Sequence, residues 1–332
     1  YTGSMDIQAP DLSSYNLCNA WQKLEVERLS GVYTSSTNHP VSQQRLDELY
    51  AGLNKEVERG VNTYWLSKPL RTGIGHKHSL NFEGGDEFIR YNINVSYNVA
   101  GVMKGSNRET FGGGFTFSYR YKSLLFREQL SLLHNKADNS PYGAFSDYAK
   151  LNPYWRANNE DGTIREVLNP VEVAYGSNPV YNPLINKTLN TKDESKYTDI
   201  TNNFYIEWSV FDDLKATGRF GFTSRTDESD IFYPRDHTMF RDIDITDDAY
   251  FERGQYTKGN GKMTTLTTDI ALNYSKTWDK HVMFANAQWS LGETKSESVT
   301  FQAEGFANDK LDYITHAQQY LAGGKPSGSE SL

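Results

Sequence analysis

The stretch Glu87-Phe88-Ile89-Arg90-Tyr91-Asn92-Ile93-Asn94-Val95-Ser96-Tyr97-Asn98-Val99 decides the fold. From Ile89 to Val99 apolar and polar residues alternate without a break. Ile89, Tyr91, Ile93, Val95, Tyr97 and Val99 fall on one side, and Arg90, Asn92, Asn94, Ser96 and Asn98 on the other. Successive side chains of a strand point to opposite faces, so the run reads as a strand with one apolar and one wet face. The pattern recurs in segments of about ten residues along the chain, the mark of a transmembrane β-barrel. Such strands are apolar toward lipid and polar toward a watery lumen.

Working outward, Phe111, Gly113, Phe115, Phe117, Tyr119 and Tyr121 alternate with Gly112, Gly114, Thr116, Ser118 and Arg120. Leu124, Phe126, Leu130 and Leu132 continue the apolar face, interrupted by Glu128. Phe204, Ile206, Trp208 and Val210 oppose Asn203, Tyr205, Glu207 and Ser209, and 214–225 follows with Leu214, Ala216, Phe220 and Phe222. Leu266, Ile270, Leu272 and Tyr274 oppose Thr267, Asp269, Asn273 and Ser275. Met283, Ala285, Ala287, Trp289 and Leu291 oppose Asn286, Gln288 and Ser290. Two weaker runs, Tyr1 to Ala9 and His78 to Phe82, bring the expectation to nine strands.

Composition bounds this reading. The chain has 332 residues, and no apolar run approaches the roughly 20 residues of a membrane helix. A barrel strand escapes that test because half of it is polar. Aromatics make up 14% of the chain, with Tyr119, Tyr121, Phe211, Tyr274 and Trp278 near strand ends, where interfacial girdles belong. Tyr-rich strands also occur in soluble sandwiches. The net charge of −8 and the lack of a basic stripe argue against nucleic acid as a partner. A single cysteine, Cys18, excludes an internal disulfide and a paired-cysteine zinc site. Tyr1-Thr2-Gly3-Ser4-Met5 reads as strand rather than signal peptide, so an export signal is expected outside this sequence.

Connections alternate in length. Glu83-Gly84-Gly85-Asp86, Tyr121-Lys122-Ser123, Phe211-Asp212-Asp213-Leu214 and Trp278-Asp279-Lys280-His281 read as tight turns. Between them lie long connections at about 10–75, 100–109, 136–199, 226–263 and 293–332. Outer-membrane barrels put short turns on the periplasmic side and long loops outside, whereas a soluble sandwich has no reason to segregate them. Within the first long segment, Leu17, Trp21, Leu24 and Leu29 are spaced as on a helix that Gly31 closes. Leu46, Leu49, Tyr50, Leu53 and Val57 repeat the spacing, with Ser42 as N-cap and Gly60 after the end. The fold expected is all-β: a partial antiparallel transmembrane barrel with two short helices at its mouth. Nine strands are odd and leave open edges, which lipid does not tolerate, so 1–332 reads as part of a larger protein.

Asn62-Thr63-Tyr64-Trp65-Leu66-Ser67-Lys68-Pro69-Leu70-Arg71-Thr72-Gly73 leads to His76-Lys77-His78-Ser79-Leu80-Asn81-Phe82-Glu83-Gly84-Gly85, then Tyr91 and Gly101-Val102-Met103-Lys104-Gly105-Ser106. This order resembles the first part of the barrel in the SusC/RagA family of TonB-dependent outer-membrane transporters. Asn152-Pro153-Tyr154-Trp155, Asp161-Gly162 and Asn308-Asp309-Lys310-Leu311 extend the resemblance over nearly the whole chain. It implies a 22-stranded barrel in the outer membrane of a Gram-negative bacterium, with an N-terminal plug and a TonB box. It also implies a SusD-like surface lipoprotein as lid, and import driven through the TonB complex. Plug, TonB box and C-terminal strands would lie outside this sequence.

The expected function is therefore a segment of a nutrient importer, oligosaccharide being the first cargo candidate and peptide the second, with no cofactor and no covalent chemistry. Tyr142, Tyr148, Tyr154, Trp155, Arg156 and Asn158 are the candidate cargo contacts, since flat rings beside amides and a guanidinium suit sugars. They would equally suit peptide, or pack the loop against the lid. Arg90, Asn92, Asn94, Arg120, Arg127 and Glu207 are expected to line the lumen. Asp242, Asp244, Asp247 and Asp248 form an acidic loop cluster, read as solvated charge with a calcium ion as the alternative, since it lacks the EF-hand ligand order. No histidine pair has zinc-protease spacing and no G-x-S-x-G elbow occurs. Ser131 and His134 are three apart on one strand and point oppositely. A barrel enzyme and a soluble carbohydrate-binding β protein remain the alternatives.

Overall fold

The computed structural model describes residues 1–36, 41–324 and 326–331. Nine strands follow one another as an antiparallel meander, each paired with its neighbours in sequence. They are β1 (Thr2–Gln8), β2 (Gly73–Gly85), β3 (Ile89–Ala100), β4 (Asn107–Tyr121), β5 (Leu124–Asp138), β6 (Lys192–Phe211), β7 (Leu214–Tyr233), β8 (Gln255–Trp278) and β9 (His281–Glu304). These are the nine expected from the alternation. Two short strands in the final connection, β10 (Gln319–Tyr320) and β11 (Ser327–Ser331), fold back onto β9 and were not legible. The sheet is not closed among the described residues.

Register carries the alternation from strand to strand. Ile93 lies opposite Phe82 on one side and Phe115 on the other, and Phe115 opposite Leu130. Asn92 Nδ2 donates to Asn81 Oδ1 (3.0 Å) across the opposite face. The apolar face is bare: Ile270, Trp289 and Leu291 are 51, 55 and 59% exposed. Its interruption at Glu128 is answered by Asn202, whose Nδ2 donates to the Glu128 carboxylate from the next strand.

Turns between β4 and β5, β6 and β7, and β8 and β9 take two residues each. Lys122 and Asp279 hold the left-handed backbone there (φ 51° and 46°) that glycine usually supplies in such turns. The β2–β3 turn sits slightly later than expected, with Asp86 Oδ1 accepting from the Phe88 and Ile89 amides at 2.8 Å.

The long connections are shorter than the sequence suggests. Strands β6 and β7 have 20 residues and β8 and β9 have 24, so pairing invades 136–199, 226–263 and 293–332. At about 3.4 Å per residue these strands run roughly 70–80 Å, far beyond the 9–11 residues that cross a bilayer. Their upper parts, such as Lys192-Asp193-Glu194-Ser195-Lys196, are polar on both faces. Backbone pairing continues there while the one-sided apolar signal stops, and the alternation reports only the latter.

The larger buried core takes none of its members from the strands; the helices and connections that build it are the cap of this molecule. Helices α1 (Ala20–Leu29) and α2 (Gln43–Glu58) pack with segment 142–184, which adds α3 (Phe145–Ala149) and α4 (Pro170–Ala174). Asn19 and Gln22 form a capping box on α1, at 2.8 and 3.1 Å, and Ser42 caps α2. Gly31 and Gly60 end the helices in the left-handed conformation (φ 82° and 85°). Leu24, Leu46 and Leu53 are buried as the spacing expects. Leu17, Trp21 and Leu29 are exposed, so the α1 stripe is narrower than predicted. A second cluster joins Phe232, Tyr256 and Phe306 near the upper ends of β7, β8 and β9.

Candidate functional site

All six residues expected to line a lumen, Arg90, Asn92, Asn94, Arg120, Arg127 and Glu207, fall on the polar face of the sheet. Pairing aligns them further. Arg90 lies opposite Ser118, Ser118 opposite Arg127, Arg127 opposite Tyr205, Tyr205 opposite Arg219 and Arg219 opposite Asp269. One lateral row across six strands thus carries three guanidiniums, a phenol ring and a carboxylate. The guanidinium carbons of Arg127 and Arg219 sit 5.8 and 5.6 Å from the Tyr205 ring centre, so the ring is held between two cations. Tyr205 donates to Glu207 Oε2 at 2.8 Å, and Lys215 Nζ approaches Glu207 Oε1 at 3.4 Å. The surrounding hollow, about 510 Å³, includes Gln129, Asn203 and Asp269. Arg219 is not singled out by sequence. Its alternation places it on the correct face, but only register puts it beside Tyr205.

The aromatic candidates have a different fate. Tyr148, Tyr154 and Trp155 are 1, 4 and 9% exposed inside the cap. Tyr148 Oη donates to the Tyr142 carbonyl (2.9 Å), Tyr154 Oη to Glu27 Oε2 (3.1 Å) and Trp155 Nε1 to Glu172 Oε1 (2.6 Å). These rings are packing, and no sugar can stack on them in this arrangement. Each has its polar tip satisfied within the protein, as a buried Tyr or Trp requires. Arg156 pairs with Glu56 of α2, tying the two halves of the cap. Asn158 Nδ2 donates to the Gly162 carbonyl (3.2 Å) within its own hairpin. Tyr142 is half-buried and flanked by Lys104 Nζ and Lys187 Nζ at 5.8 and 5.6 Å. Of the six, Tyr142, Arg156 and Asn158 keep surface a ligand could reach.

Burial also shapes the titration of the cap. Desolvation raises the Glu172 carboxyl above its ordinary range, and its Oε2 has no hydrogen-bond partner among the described residues. Glu56 is held below its ordinary range by Arg156, against the effect of its own burial, which is the largest single influence.

The acidic loop does not converge on an ion. Asp244 Oδ1 accepts from the Thr246 amide and hydroxyl (2.8 and 2.7 Å), and Asp247 Oδ1 from the Ala249 amide (3.0 Å). These carboxylates shape turns. Among the described residues no three His, Cys, Asp or Glu side chains gather as metal ligands, the loop's Asp242, Asp244, Asp247 and Asp248 included. Ser131 and His134 face opposite ways, His134 Nδ1 meeting Thr198 Oγ1 at 2.9 Å.

Solved structures share this fold. One is the RagAB peptide transporter, with a TM-score of 0.74. Two others are the RagAB peptide importer in its closed-closed state (0.74) and in its open-open state (0.72). Each is 14% identical to this chain, and each match covers 99% of it and 38% of the solved chain. This chain therefore spans well under half the length of the structures it matches. No protein-family description matches the sequence. No curated protein matches it either.

Proposed function

We propose that this chain forms part of the barrel wall and extracellular mouth of an outer-membrane nutrient importer. In this reading it works with a SusD-like surface lipoprotein and draws on the TonB complex. The observation that carries it is the two-faced wall: an exposed apolar face of about ten-residue strand segments, backed by a face of aligned Arg, Tyr, Asn and Glu. Water leaves such an apolar surface uncovered at high cost, whereas a bilayer covers it. No helix among the described residues is long and apolar enough to cross a membrane, which says nothing against crossing by strands. The sequence resemblance to the SusC/RagA family and the fold likeness to RagAB support the same assignment from independent directions.

For cargo, oligopeptide is favoured over oligosaccharide. The rings expected to stack on sugars are enclosed in the cap. The polar face instead presents cations and carboxylates side by side, which suits a chain bearing charges of both signs at its ends. The solved structures of this fold are described as peptide importers.

Purification of the full-length protein from detergent-solubilised outer membranes, with mass spectrometry of what accompanies it, tests the proposal. A surface lipoprotein in fixed ratio, together with bound peptides, is the expected result. Glycans in place of peptides would overturn the cargo. Extraction without detergent would overturn the importer and favour a soluble β protein.

A further inference from the structure

Resting on the importer reading, we infer that a cavity at the upper end of β5, β6 and β7 is a subsite for a primary ammonium group of the cargo. The cavity measures about 350 Å³ and is lined by Asn139, Thr191, Asp193, Tyr233 and His237, with Met103 and the Ser140–Ala144 loop closing it. Asp193 and Tyr233 have the strand parity of Tyr205 and Arg219, so the cavity lies on the polar face, at the end away from the two-residue turns.

Its chemistry selects a cation. Asp193 makes no ion pair among the described residues. Its Oδ1 accepts from Asn139 Nδ2 at 3.0 Å, which orients the carboxylate and leaves its charge uncompensated. The lysines nearest in sequence are engaged elsewhere: Lys187 sits over Tyr142, Lys192 Nζ pairs with Asp230 (2.9 Å) and Lys196 Nζ with Glu194 (2.6 Å). Thr191 Oγ1 is sealed from solvent and has no hydrogen-bond partner among the described residues. A buried hydroxyl without a partner is costly unless a donor arrives, and the same lining holds the Asp193 carboxylate. The Tyr233 ring adds a face that attracts cations. His237 packs 4.9 Å from that ring, and burial lowers its pKa to about 4, so it stays neutral and does not repel a cation. Its Nδ1 accepts from the Met239 amide (3.3 Å), which leaves Nε2–H free to donate to a carbonyl. An ammonium supplies three donors and a positive charge, and a single carboxylate is too few ligands for a divalent ion.

A peptide amino terminus and a lysine side chain share this chemistry, and three probes separate them. Tetra-alanine amide carries the free terminus, N-acetyl tetra-alanine amide carries neither, and the N-acetyl peptide with one internal lysine carries only the side chain. Calorimetry is done on the full-length protein with its lipoprotein. At least one ammonium-bearing probe should bind the native protein about tenfold more tightly than the neutral one. Asp193→Asn should abolish that preference and leave the neutral probe unchanged, and Thr191→Val should reduce it about threefold. The probe that responds identifies the source. Equal affinity for all three probes, no binding by any, or equal losses in the variants would overturn the inference. Accumulation of natural peptides on the same preparation would still uphold the importer, so the two failures are distinguishable.

Discussion

The cap and the wall of this molecule are built on opposite plans. In the cap, Leu24, Trp65 and Tyr148 are 2, 3 and 1% exposed, around a core like that of any water-soluble domain. In the wall, large apolar side chains stand bare along one face, and the other face holds hydrogen bonds and charge. The contrast is what the proposed importer requires, one chain written for two solvents. Burial stabilises the cap because water is excluded from it. Backbone pairing holds the wall, and its apolar face only has to match what surrounds it.

Substitutions probe that division. Trp65→Ala should have the largest effect, about 3–5 kcal/mol of cap stability, because it empties a buried site and removes the Nε1–H bond to the Asn152 carbonyl (2.8 Å). Limited proteolysis between 20 and 66 reads the loss, and a change below 1 kcal/mol would break the claim that the cap is a core. Next comes Val95→Arg on the wall, about 2–4 kcal/mol if that position lies near the bilayer midplane. Folding into detergent-free lipid vesicles measures it; an unaltered yield would mean that Val95 faces no lipid. Asn19→Ala should cost about 1 kcal/mol through the lost capping box, seen as faster amide exchange confined to the first turn of α1. Last is a pH effect with a definite sign. The Glu172 carboxyl is raised in the folded cap, so the folded state holds its proton more tightly than the unfolded chain does. Cap stability from this group falls as pH climbs from the ordinary glutamate range through the raised value. Glu172→Gln should then stabilise the cap at neutral pH and make no difference near pH 4, as thermal melts at the two pH values would show.

Much of the wall was legible because a one-sided environment imprints period two on the sequence. Ile89 to Val99 could be placed residue by residue, and Arg90, Asn92, Asn94, Arg120, Arg127 and Glu207 share the polar face of the sheet. The upper halves of β6 to β9 were not legible, since water on both sides leaves no imprint although the hydrogen bonds persist. Sequence spacing located α2 and both glycine stops. It could not tell whether Tyr148, Tyr154 and Trp155 face a ligand or the inside of a cap, because an aromatic beside polar residues looks the same in either place. Nor could it bring Arg219 to Tyr205 or Asp193 to Thr191, His237 and Tyr233, which depends on register between strands and on how three connections meet.

The neighbour-only order of the strands also sets a timetable. Each long strand finds its partner directly next to it in the chain, and three of the hairpins close with two-residue turns. Such pairings demand little loop entropy and can zip up one hairpin after another. The cap has no such shortcut. Thr63 N donates to the Pro153 carbonyl and Arg156 reaches Glu56, partners 90 and 100 positions apart in sequence that β2 to β5 bring together. Pairing of β2 to β5 thus sets how near the two halves of the cap come to one another.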